Sequence, residues 1–91
     1  MPPSSETTVV EATMVLPVHL HARPAGALVR AATRFASAVE LTYGDRTVNA
    51  RGVLAVMGLG ATAGATVVVR ATGDDAEAAV AALLEVLHTA Q

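Results

Sequence analysis

With 91 residues, the chain has enough length for one small domain, which buries somewhat over about 60% of its unfolded surface. Hydrophobic residues make up 53% of it, with one Phe, one Tyr and no Trp, so the core must be Ala, Val and Leu packed tightly. A net charge of −2, with all six basic residues arginine, argues against bulk nucleic-acid binding, and the lack of cysteine excludes disulfide and thiolate chemistry.

The opening "MPPSSETT" is polar and proline-containing, and reads as a loose tail over residues 1–8. It lacks the basic and apolar regions of a signal peptide. Every apolar run is broken short of the roughly 18 residues of a membrane span, so a cytoplasmic protein without direct membrane insertion is expected. From Val9 to Leu16, Ala12, Met14 and Leu16 alternate with Glu11 and Thr13 as in a half-buried strand, which Pro17 ends.

A helix is expected to begin near Ala22 to Pro24, because proline is favoured in a first helical turn. Leu28, Ala31 or Ala32, and Phe35 then fall on one face, and Gly26 costs this helix about 1 kcal/mol relative to alanine. Val39, Leu41 and Tyr43 alternate with Glu40 and Thr42 in a second strand. Gly44–Asp45 suits a two-residue hairpin turn, and "RTVNA" supplies a short third strand. "RGVLAVMGLG" allows a turn or two of helix before its glycines, and Ala65 to Thr72 is the strongest strand pattern. In the last segment Asp74 and Glu77 have capping-box spacing. Val80, Leu83, Leu84 and Leu87 form an apolar stripe there, and His88 suits the negative end of the macrodipole. The order β-α-β-β-α-β-α, four strands covered on one side by helices, is an α+β two-layer domain.

The chemistry gathers in "HLHARPAG", His19 to Gly26. A histidine just before a helix sits where backbone N–H groups lack helical partners and the macrodipole is positive. That setting favours a neutral imidazole with one nitrogen free as a nucleophile. The same N–H groups, from Ala22 and Arg23, form an anion site, and the Arg23 guanidinium adds donors suited to phosphate. Nucleophile, anion hole and arginine together fit covalent phosphoryl transfer without a metal.

Other readings stand beside this one. His21 is also a plain cap, and His19 with His21 is an incomplete metal pair lacking an acid or cysteine. Arg23, Arg30 and Arg34 line one helix face, which serves equally as a solvated face or as a basic rim with Arg51 around Val53, Leu54 and Met57. That rim suits docking of an acidic partner, although at least one of the three apolar residues is expected to be buried.

"LHARPA" (Leu20 to Ala25) and "VNARGVLAVMGLGATAG" (Val48 to Gly64), with the helix from Asp74 to Leu87, resemble the HPr family of histidine-containing phosphocarriers over about residues 9 to 88. These proteins serve the bacterial phosphoenolpyruvate-dependent sugar phosphotransferase system. The resemblance implies an HPr domain over residues 9–91, an open-faced β-sandwich with a four-stranded antiparallel sheet and helices on one face. It implies His21 as the residue phosphorylated on Nδ1 by phospho-enzyme I and discharged to the IIA domains of sugar permeases. Arg23 would hold the phosphoryl group, with Ala22 and Arg23 N–H groups as the anion hole. Ala27, Arg30, Arg34, Val53, Leu54 and Met57 would form the docking surface. It also implies a monomeric carrier protein with no cofactor, rather than an enzyme with its own turnover.

The chain departs from the family pattern at several positions. His19 stands where glycine is usual and Val18 where a small polar residue is common, so His19 is a candidate modulator of His21. Gly26 replaces a commonly hydroxylated position. Gly52 falls where many members carry a regulatory serine, so that switch is absent at this position. The alternatives are a regulatory module on the same fold, reporting phosphorylation state in a branch not concerned with sugar, and a metal- or anion-binding domain built on His19 and His21.

Overall fold

The structure is a computed structural model, and it describes residues 8–91; the expected tail, but for Thr8, lies outside the described residues. The elements run in the order β1 (Val9–Val15), α1 (Ala22–Ala32), β2 (Ala38–Tyr43), β3 (Arg46–Asn49), α2 (Val53–Gly58), β4 (Thr66–Thr72) and α3 (Ala76–His88). The four strands form one antiparallel sheet in the order β1-β4-β2-β3.

Strands β1, β2 and β4 turn alternate residues inward, as a period of two requires when one sheet face is covered, while the short β3 buries none fully. Met14, Val39, Leu41, Val67, Val69 and Ala71 turn inward. The helices close over them with Leu28, Ala31 and Ala32 of α1 and Ala76, Ala79, Val80, Leu83 and Leu87 of α3. The largest fully buried side chains are leucines and valines. On the open face Arg70 lies opposite Glu11 and Glu40 in the ladder, with oxygens 3.5 and 3.9 Å away.

The β2–β3 hairpin turns on Gly44–Asp45, where Gly44 has φ 64° and Asp45 keeps negative φ, the sign pattern of a type II′ turn. Some boundaries differ from the sequence expectation. α1 stops at Ala32, and Thr33 closes it through its N–H and its hydroxyl, which donates to the Arg30 carbonyl. Phe35 therefore lies beyond the helix and is half-buried against the core.

The expected capping box at Asp74 does not form. Asp75 is the N-cap of α3, and it makes no side-chain capping bond. Its carboxylate instead accepts from the Ala36 N–H at 2.9 Å, and from the Ser37 N–H and hydroxyl. A bond to a segment nearly forty residues distant thus replaces the local cap, fixing the exit of α1 against the start of α3. Among the described residues no helix is long and apolar enough to cross a membrane.

Candidate functional site

The segment between β1 and α1 is held at both ends by buried leucines. The Leu16 N–H donates to the Ala65 carbonyl and the Leu20 N–H to the Ala61 carbonyl, while the Leu16 carbonyl accepts from Gly64. Leu16 and Leu20 are fully buried, whereas His19 and His21 are exposed. Apolar anchors in the core thus carry the two imidazoles on a fixed stretch of backbone at the surface, with ring centroids 5.8 Å apart.

His21 is the N-cap of α1, with extended backbone (φ −80°, ψ −169°). Ser, Thr, Asp or Asn usually fill that position with a side-chain oxygen. Here imidazole nitrogen replaces it, because Nδ1 accepts from the Arg23 N–H at 3.4 Å. That geometry requires a lone pair on Nδ1 aimed into the helix mouth. The neighbouring donors are accounted for one by one. Pro24 has no N–H, the Ala25 N–H bonds the His21 carbonyl, and the Ala22 N–H meets no backbone acceptor among the described residues. The donors left for a bound anion are those of Ala22 and Arg23.

Beside the ring lies an open hollow of about 570 Å³ lined by His21, Ala22, Arg23, Arg30 and Gln91. A narrower groove of about 330 Å³ runs from Arg23, Pro24 and Ala27 to Val86, Thr89 and Ala90 at the end of α3. The sequence pointed to His21, Ala22 and Arg23 as one cluster, and the structure brings them together. Arg30, which the sequence places on one helix face with Arg23, lines the same hollow, and Gln91 joins it with no motif to mark it. For Arg30 the signal was its spacing of seven and four residues from Arg23 and Arg34.

Arginines divide sharply by partner. Arg46 donates to the Gly58 carbonyl at the end of α2, Arg51 donates to the Phe35 and Ser37 carbonyls, and Arg70 pairs with Glu11 and Glu40. Arg51, itself exposed, therefore straps the start of α2 to the α1–β2 connection. Side chains of Arg23, Arg30 and Arg34 make no hydrogen bond or ion pair among the described residues, and all three are exposed. No carboxylate occurs anywhere between Glu11 and Glu40.

The α2 surface corrects one expectation. None of Val53, Leu54 and Met57 is buried; they are 38%, 79% and 36% exposed, and Val56 alone turns into the core. Ala27 of α1 is half-buried and lines the groove against the end of α3. Gly52 is the N-cap of α2 and offers no side-chain cap. His88 is exposed in the last turn of α3, away from the hollow's lining. Among the described residues, no group of three or more His, Cys, Asp or Glu gathers in a metal-binding arrangement.

Comparison with known proteins identifies the family of the chain. The family model described as the PTS HPr component phosphorylation site matches residues 9–89. The phosphocarrier protein HPr of Lysinibacillus sphaericus is 39% identical over 75 residues, covering 82% of this chain and 85% of that protein. Among solved structures, HPr-C-His from Thermoanaerobacter tengcongensis superposes with a TM-score of 0.83 at 34% identity, covering 88% of this chain and 92% of the other. Bacillus subtilis Crh, a catabolite repression protein seen as a domain-swapped dimer, is similar with a TM-score of 0.73 at 34% identity over 80% of this chain and 84% of its own. From its phosphorylation-site motif to its last helix, the chain belongs to the HPr family of phosphocarrier proteins of the phosphotransferase system.

Proposed function

We propose that this protein takes a phosphoryl group from phospho-enzyme I onto Nδ1 of His21 and passes it to the IIA domains of sugar permeases. The observation that carries the reading is the cap itself. Nδ1 of an exposed imidazole presents its lone pair at a helix N-terminus whose remaining donors are the Ala22 and Arg23 N–H groups.

In the forward step the Nδ1 lone pair attacks phosphorus, and the bond from phosphorus to the donor's nitrogen breaks with its electron pair returning to that nitrogen. Oxygens of the arriving group take over the N–H that Nδ1 had engaged, and the Arg23 guanidinium offers its paired donors to the same oxygens. Discharge to the next protein is the same displacement run from the other side. No cofactor enters either step, and the protein is a substrate of its partners rather than a catalyst.

Ala27, Arg30, Arg34, Arg51, Val53, Leu54 and Met57 form the docking surface in this reading, with Arg51 exposed and tied to the α1–β2 connection. An apolar patch ringed by unpaired guanidinium groups suits an acidic groove. His19, next to the phosphoacceptor, is assigned a modulating role, and Gly52 leaves no hydroxyl for a regulatory kinase. The working unit is a monomeric domain of residues 9–91.

Incubation with phosphoenolpyruvate and enzyme I tests this directly. The expected result is an acid-labile mass gain of one phosphoryl group, abolished in His21→Ala. Absence of any gain in the unaltered protein would overturn the carrier reading in favour of a regulatory module.

A further inference from the structure

We infer that Arg30 is a second phosphoryl-holding residue, brought to the site by the missing side chain of Gly26. The inference rests on His21 as phosphoacceptor and assigns to Arg30 a contact with the transferred group itself.

Side chains on a helix lean toward its N-terminus and lie over the preceding turn, so residue 30 covers residue 26. A Cβ placed on Gly26 would stand 3.4 Å from Nη1 of Arg30. The guanidinium thus lies in contact distance of where a side chain at 26 would begin, and any side chain longer than a methyl group there would meet it. In that position Arg30 lines the same hollow as His21, Ala22 and Arg23.

Electrostatics gives the placement its meaning. Arg30 belongs to the last turn of α1, where the helix dipole favours a cation. By folding back it gives up that position and brings its charge toward Arg23 and the positive end. No side-chain carboxylate among the described residues pairs with it, and Gln91 lines the hollow beside it. Two guanidinium groups on one hollow, beside two N–H donors, make an arrangement that a phosphoryl dianion relieves and that a neutral ligand does not. Each fork matches two phosphoryl oxygens.

The test loads the protein chemically with phosphoramidate, which transfers its phosphoryl group to imidazole and releases ammonia, so no protein partner is involved. The signal of His21 is identified by its loss in His21→Ala, and its ³¹P shift is titrated against pH. Removing a cation near the dianion disfavours the dianion, so Arg30→Gln is expected to raise the titration midpoint by about half a pH unit. Gly26→Val, which fills the space the guanidinium occupies, is expected to reproduce that rise with Arg30 intact. Arg70→Gln, on the open face of the sheet, is expected to leave it unchanged.

Equal midpoints in Arg30→Gln, Gly26→Val and the unaltered protein would overturn the inference while leaving the carrier reading standing. The same conclusion follows if Arg30→Gln slows transfer from enzyme I yet leaves the midpoint in place, since Arg30 would then act only in docking. Failure of the unaltered protein to take up phosphoryl at His21 would overturn both.

Discussion

A single carboxylate, that of Asp75, closes the junction between the two long helices. Its pKa is lowered from its ordinary 3.8, first by the Ser37 hydroxyl and then by the Ala36 N–H, while desolvation opposes them. A group whose pKa is depressed on folding contributes stability above its unfolded pKa, and that contribution is lost as pH falls through the folded value. Urea unfolding midpoints should therefore fall as the pH is taken from about 5 to below 3. Asp75→Asn should be less stable at neutral pH and should lose this part of the acid sensitivity. Gly73 meets the same junction from the other side. It has φ 146°, and a Cβ there would lie 2.5 Å from Oγ of Ser37. Gly73→Ala should thus cost about 2–4 kcal/mol, from backbone strain and the displaced serine together, read as a lowered denaturation midpoint.

At the scale of elements, α2 is short, and three of its apolar residues look outward. Leu54, the most exposed of them at 79%, contributes almost nothing to the core. Leu54→Asp should leave the melting temperature nearly unchanged while raising the KM for transfer from enzyme I about tenfold or more, a loss of hot-spot size. This element also shows where the sequence stopped being legible. In β1, β2 and β4 a period of two runs through enough residues to assign faces, and Val80, Leu83 and Leu87 do the same for α3 at helical spacing. Six residues of α2 give too little periodicity to tell Val56 from its neighbours, so the choice of buried residue had to come from packing. The Asp75 bonds were hidden for a different reason. They join groups nearly forty positions apart, and the capping-box spacing of Asp74 and Glu77 offered a local answer that the tertiary contact displaced. The place of His21 at the mouth of α1 was legible because Pro24 marks the helix start three residues on.

Across the whole molecule, charge is sorted by surface. Acidic residues flank the open sheet face and both ends of α3, whereas the stretch from Leu16 to Val39 carries only arginines. A protein with net charge −2 thus presents a cationic end. Electrostatic attraction of this kind acts mainly on the rate of encounter and is screened over about 10 Å at 0.1 M salt. Stopped-flow phosphoryl transfer from enzyme I should slow about tenfold between low and 0.5 M ionic strength, with little change in thermal stability.

Leucines 16 and 20 root the segment on either side of His19, and their amides are tied to Ala61 and Ala65. Among the described residues nothing covers the imidazole of His21, which is exposed. On the carrier reading proposed above, a phosphoryl group on that ring would travel unsheltered, as open to bulk water as to the next recipient. Its lifetime between donors and recipients is therefore a property of the nitrogen–phosphorus bond and its immediate charges, and speed of delivery depends on how often the partners meet.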